Sequence, residues 1–187
     1  MPRTVDVDAA VAIVARGGVV TYPTEAVWGL GCDPFDEAAV HRLLAIKRRD
    51  MGKGLILVAS SADQLDGLVD WRALPDARRD DVLATWPGPH TWTLPATARV
   101  PRWIIGDHAG VAVRVSTHPV VAALCRGFGA PLVSTSANNS GEAPPRDVAD
   151  LNPALLSMID AVVVGSTSAP GRPTPIRDAL TGHILRA

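Results

Sequence analysis

Cysteine is nearly missing from this sequence. Cys32 and Cys125 are the only two in 187 residues, far apart and without paired spacing, which excludes a disulfide framework and a structural zinc site and predicts reduced core thiols. A charge excess is missing too. Lys and Arg number 18 against 19 Asp and Glu, a formal net charge of -1, so nothing global calls for nucleic acid or an anionic membrane, and any electrostatic function has to be local. No run approaches the ~18 apolar residues a membrane helix needs, and no apolar stretch follows a basic flank at the start, so no membrane partner is expected and the location expected is cytoplasmic. Repeats, low-complexity tracts and linker-like shifts of composition are absent as well, and this length predicts one domain over 1–187.

Several catalytic signatures are also lacking. There is no Gly-x-x-x-x-Gly-Lys-Ser/Thr, and Gly29-Leu30-Gly31-Cys32-Asp33 is followed by Pro34 where a dinucleotide fingerprint needs glycine. No Gly-x-Ser-x-Gly elbow occurs and neither cysteine has an adjacent histidine, which argues against a covalent nucleophile. The five histidines, His41, His90, His108, His118 and His183, have no metal-ligand spacing, so no protein metal site is expected.

What is present is a mixed succession of helices and strands. Asp8 to Arg16 has helical spacing and stops at Gly17-Gly18 before the β-branched run Val19 to Tyr22. Val27 to Gly31 reads as a second strand that Gly29 and Gly31 keep slim. Asp36 caps a helix running to about Ile46. Leu55 to Ala59 is continuously apolar, as a central strand buried on both faces must be. Ser61-Ala62-Asp63-Gln64 reads as a capping box, Pro75-Asp76 starts another helix, and Trp86-Pro87-Gly88-Pro89 forces a turn. Thr91 to Leu94, Val111 to Val115, Pro131 to Ser134 and Ala161 to Val164 read as strands, Pro119 to Arg126 as a helix, and Ile176 to Arg186 as a hairpin around Thr181-Gly182. Without strict βαβ alternation, the expected fold is α/β with a twisted mixed parallel and antiparallel sheet and flanking helices.

Three segments carry candidate chemistry. Arg42 to Lys53 holds five cations and one acid, and Lys47, Arg49 and Lys53 lie where a helix ends and a buried strand begins. Such a cluster suits phosphates, Arg offering a fork and Lys a point charge; a helix C-terminus attracts cations through its dipole with equal ease. Ser134-Thr135-Ser136-Ala137-Asn138 follows a strand and offers hydroxyls, an amide and backbone N–H groups to a ligand, or to its own turn. Tyr22-Pro23-Thr24-Glu25 interrupts two apolar stretches and, taken alone, reads as a strand-end turn. Hook and loop together predict a site for a nucleotide-like anion.

Taken in order, Tyr22-Pro-Thr-Glu-Ala-Val-Trp-Gly-Leu-Gly, Lys47-Arg-Arg49 with Lys53-Gly-Leu-Ile-Leu, Trp86-Pro-Gly-Pro, Val111-Ala-Val-Arg114, Ser134-Thr-Ser-Ala-Asn138 and Ile176-Arg-Asp-Ala-Leu-Thr-Gly182 resemble the YrdC-like family of threonylcarbamoyl-AMP synthases in its short bacterial form. The resemblance implies a concave basic site and a nucleotidyltransferase that joins L-threonine, bicarbonate and ATP into L-threonylcarbamoyl-adenylate and pyrophosphate, with no covalent nucleophile. It implies ATP contacts from Lys47, Arg49, Lys53, Ser134 and Asn138, Mg²⁺ accompanying ATP, and threonine contacts from Thr24, Arg114, Ser136 and Thr174. A downstream tRNA threonylcarbamoyl transferase complex is implied as partner. Asp50 stands where many relatives have Pro, and Thr174-Pro175 where Ser is common. The rivals are a non-catalytic module binding double-stranded RNA or tRNA, which the net charge disfavours, and a carbamoyl-transfer maturation factor, which the length disfavours.

Overall fold

The computed structural model describes residues 2–168 and 174–186. Ten strands are described: β1 (Arg3–Val5), β2 (Val20–Pro23), β3 (Trp28–Gly31), β4 (Ile56–Ala59), β5 (Thr91–Pro95), β6 (Gly110–Val115), β7 (Leu132–Ser136), β8 (Ala161–Val163), β9 (Ile176–Asp178) and β10 (Ile184–Arg186). Their spatial order is β1-β8-β2-β3-β7-β4-β6-β5-β9-β10. The pairs β1/β8, β2/β8, β4/β6 and β5/β9 are parallel and the others antiparallel. Six α-helices accompany them: α1 (Val7–Val14), α2 (Glu37–Lys47), α3 (Asp76–Ala84), α4 (Arg102–Ile105), α5 (Pro119–Phe128) and α6 (Pro153–Leu156). This is the mixed sheet with flanking helices that the sequence predicts.

The apolar run of β4 is explained by its place between β7 and β6. Leu57 and Ala59 join the cluster that holds Leu43 and Leu44 of α2, whereas Val58 joins the opposite cluster with Ile13 of α1 and Leu124 of α5. Successive side chains point to opposite faces, so a strand covered on both sides has no polar face to show. Helix α2 is capped by Asp36, whose Oδ1 accepts from the Ala39 amide at 3.0 Å. Its buried Val40, Leu43, Leu44 and Ile46 contribute roughly 1.5–3 kcal/mol each, far more than the cap. Cys32 and Cys125 are buried free thiols, as expected.

Gly31 is slim for a specific reason. A Cβ there would lie 2.5 Å from the Val133 carbonyl oxygen and 2.7 Å from the Tyr22 ring. That ring is fully buried, and its hydroxyl donates to the same Val133 oxygen at 3.0 Å.

One local expectation changes and two short elements went unpredicted. Ser61 makes no side-chain cap bond, and Ala62–Leu65 is a single 3-10 turn. Gln64 is occupied elsewhere: its Oε1 accepts from the Ser60 amide at 2.8 Å, and its Nε2 donates to the Cys125 carbonyl at 2.8 Å, tying the turn to α5. Strand β1 and helix α4, three and four residues long, are too short to leave a periodic signal. Among the described residues no helix is long and apolar enough to cross a membrane.

Candidate functional site

The strand registers build the floor of a cavity. Ser134 pairs with Ile56, Ile56 with Ala112 and Ala112 with Thr93, giving a row across β7, β4, β6 and β5. One register step away, Gly29 pairs with Ser136. The row shares the sheet face on which Leu132 and Val58 meet α1 and α5, but it lies beyond the cover of those helices. Most of its side chains are small, so the sheet is open there where larger residues would fill it. The resulting cavity has a volume of about 630 Å³, within the range typical of sites for small molecules.

Its charge is one-sided. Arg49, Lys53, Arg114 and Arg186 line it, against one carboxylate among the described residues, Glu142. The way α2 ends explains how the cations diverge. Arg48 takes the left-handed conformation, φ 49°, as the helix cap, and the Arg49 amide closes back on the Leu44 carbonyl at 3.0 Å. The reversal leaves Arg48 exposed while Arg49 continues to the cavity. Arg49 Nη2 donates to the Gly54 carbonyl at 2.9 Å, fixing the guanidinium against the turn Met51–Lys53. Asp50 caps that turn by accepting from the Gly52 amide at 2.7 Å, and it forms no ion pair with Arg49 or Lys53. Burial, then the neighbouring charge of Arg186, lowers the Arg49 pKa; burial, then Arg114, lowers that of Arg186. The cavity therefore holds cations at mutual expense, which a bound anion relieves.

Of the residues the sequence brings forward, the cavity gathers Arg49, Lys53, Ser134 and Asn138 with Thr24, Arg114, Ser136 and Thr174. Lys47 is the exception. It is 2% exposed, and its Nζ donates to the backbone carbonyls of Ser136 and, at 2.7 Å, of Asn138. Its own carbonyl accepts from the Ser140 amide at 2.9 Å. Lys47 thus braces the 136–140 loop from behind. Burial, with the charge of Arg49, pulls its pKa down to about 8 against the opposing influence of Glu142. Asn138 Nδ2 is used within the loop, donating to the Asn139 and Glu142 carbonyls at 2.9 and 2.7 Å, while its Oδ1 is buried without a partner.

Arg114 crosses the cavity's other side, 8% exposed. Its Nη2 lies 3.3 Å from Glu25 Oε2 and its Nη1 3.4 Å from Thr174 Oγ1, which in turn is 3.1 Å from Thr91 Oγ1. The Nε groups of Arg49 and Arg114 are buried without hydrogen-bond partners. Two such N–H groups and the Asn138 oxygen in one cavity are binding capacity that the protein itself does not use. Sequence reasoning missed Arg186, Glu142 and Glu25. Only Glu25 had a signal, standing beside Thr24 in the polar interruption of an apolar stretch. The site holds no group of three or more His, Cys, Asp or Glu able to bind a metal among the described residues.

Comparison with known proteins finds relatives along the whole chain. A family profile described as "Telomere recombination", covering Sua5, YciO and YrdC, matches residues 12–187. The chain is 65% identical over its full length, and over the full length of the relative, to the threonylcarbamoyl-AMP synthase of Xanthomonas euvesicatoria pv. vesicatoria. It is 63% identical, again with both chains fully covered, to the threonylcarbamoyl-AMP synthase of Xanthomonas campestris pv. campestris. Among solved structures, P. abyssi Sua5 complexed with L-threonine superposes with a TM-score of 0.86 at 29% identity, over 95% of this chain and 54% of that longer one. E. coli YciO, at 23% identity and a TM-score of 0.81 over 100% of this chain and 96% of its own, shares the fold.

Proposed function

This chain belongs to the Sua5, YciO and YrdC family, and from that premise we propose that it condenses L-threonine, bicarbonate and ATP into L-threonylcarbamoyl-adenylate with release of pyrophosphate. The observation that carries the reading is the cavity with four cations and one carboxylate, in which the Nε groups of Arg49 and Arg114 lack partners. The reaction brings together a triphosphate, an amino-acid carboxylate and a carbamate, all anions. The threonine amine, relieved of its proton, adds to the carbon derived from bicarbonate, and water is lost. A carbamate oxygen then attacks the α-phosphorus in line, and the bond to the bridging oxygen breaks with its electron pair leaving on pyrophosphate. No covalent nucleophile is needed, so the protein's contribution is positioning and charge neutralisation.

Under this reading Arg49 and Lys53 neutralise the triphosphate, with Arg186 as a further cation, and Ser134 and Asn138 hold the nucleotide. Thr24, Arg114, Ser136 and Thr174 take the threonine, Arg114 gripping its carboxylate with a forked pair of N–H groups. Lys47 serves the nucleotide through the loop it braces. Mg²⁺ enters with ATP as part of the substrate and supplies charge neutralisation on the phosphates; a site with one carboxylate suits a metal carried by its ligand. The adenylate is a reactive mixed anhydride, so a separate tRNA threonylcarbamoyl transferase complex consumes it, in the cytoplasm where tRNA is modified. The test is pyrophosphate release with each substrate omitted in turn. Release is expected only when ATP, L-threonine and bicarbonate are all present; release indifferent to threonine overturns the reading, and tight, salt-sensitive RNA binding without turnover would replace it with an RNA-binding module.

A further inference from the structure

Glu25 is not among the residues that line the cavity, yet it is joined to two of the elements that shape it. It sits in the turn between β2 and β3, next to Thr24, whose own hydroxyl is tied to the Val27 carbonyl at 2.7 Å. From there its carboxylate reaches the end of β6. Oε1 accepts from Ser116 Oγ at 2.6 Å and from the Thr117 amide at 3.2 Å. Oε2 lies 3.3 Å from Arg114 Nη2 and makes no conventional hydrogen bond. Both side chains are largely withdrawn from water, at 10% and 13% exposure. Burial raises the Glu25 pKa, but Arg114 and the Ser116 hydroxyl outweigh it, and the carboxyl stays below its usual range.

Two contacts hold the Arg114 fork: the Thr174 hydroxyl at 3.4 Å and the Glu25 carboxylate at 3.3 Å. The carboxylate is itself fixed by Ser116 and Thr117, so it acts as a rigid stop. We infer that Glu25 is a positioning residue for threonine: held by Ser116, it orients Arg114 so that the fork faces the amino-acid carboxylate, and it couples that orientation to the Thr24 turn. The inference rests on the function proposed above and names which residue, outside the cavity, sets affinity for one of its three substrates.

Glu25→Gln separates the possibilities, because the amide oxygen still accepts from Ser116 while the charge opposite Arg114 is gone. The KM for L-threonine is expected to rise about tenfold or more, with the KM for ATP changed by less than about twofold. Glu25→Asp keeps the charge but withdraws it by one methylene, and it is expected to raise the threonine KM by less while again sparing ATP. This second variant decides the matter if the first folds poorly. The Nε–H resonance of Arg114, assigned by its loss in Arg114→Lys, is expected to be sharp and protected in the wild type and broadened in Glu25→Gln. A folded Glu25→Gln with unchanged threonine KM, equal losses for threonine and ATP in both variants, or an unaltered Arg114 signal overturns the inference. If the wild type itself releases pyrophosphate without threonine, it is the proposed function that fails, and the resonance experiment then reports on the Glu25 contact alone.

Discussion

Lys47→Met gives the sharpest separation between a lysine that braces a loop and one that reaches for phosphate. In the folded protein Lys47 is 2% exposed and its ammonium donates to two backbone carbonyls. Its pKa falls from the ordinary 10.5 to about 8, a drop worth ~3 kcal/mol. The unfolded chain keeps this proton up to pH 10.5 whereas the folded one releases it near 8, so across that window the unfolded state binds more protons and stability rises with pH. Methionine has no proton to release and cannot show the rise. Near pH 7 removing the buried charge offsets much of the loss of two carbonyl partners, a loss of about 2–4 kcal/mol. Above pH 10 that offset has gone, and the wild type is expected to lead by about 2–4 kcal/mol. Urea denaturation of both proteins at pH 7, 8, 9 and 10 measures the difference, in which the other titrating groups cancel. A difference flat in pH would mean that the ammonium sits in water, free for a ligand, and would refute the bracing role.

The remaining expectations concern the cavity and its floor. Arg49→Ala is expected to lower ATP-dependent pyrophosphate release by about a hundredfold or more while costing less than about 2 kcal/mol in denaturant unfolding, since it loses mainly the bond to the Gly54 carbonyl; comparable losses in both would make it a structural residue. Thr174→Val keeps the shape but removes the hydroxyl between Thr91 and Arg114, and the threonine KM should rise about tenfold in steady-state kinetics with ATP little affected. Gly31→Ala places a methyl against the Val133 carbonyl and the Tyr22 ring, and thermal or urea unfolding should show a loss of about 1–3 kcal/mol; an unchanged midpoint would mean that the ring yields.

Legibility from sequence followed the length and periodicity of each signal. The continuous apolar run at Leu55 to Ala59 and the Asp36-capped helix were readable because their patterns report burial directly. Strand β1 was not, since three residues carry no period, and its parallel partner β8 lies more than 150 positions away. In the site, the Lys47-Arg48-Arg49 cluster was legible as charge but not as geometry. The left-handed turn at Arg48 decides which cation meets the cavity and which meets carbonyls, and such a conformation for a non-glycine residue has no compositional mark. Arg186 was invisible for another reason: an arginine ending a short exposed strand looks like any solvated edge until the fold sets it in the cavity that Arg114 also lines. The Ser61 capping box failed because Gln64 found partners in α5, a contact across 61 positions that local pattern cannot foresee.

The order of strands has a consequence during synthesis. The cavity draws on Thr24 from one end of the described chain and Arg186 from the other, and among the described residues the strand carrying Arg186 pairs with its hairpin neighbour β9 alone. Until that hairpin is synthesised and docks, an emerging chain has the floor of the cavity but not Arg186. Under the proposed function, a chain in which Ile184–Arg186 has not yet docked lacks one of the four cations of the cavity, and its affinity for ATP is expected to fall below that of the folded protein.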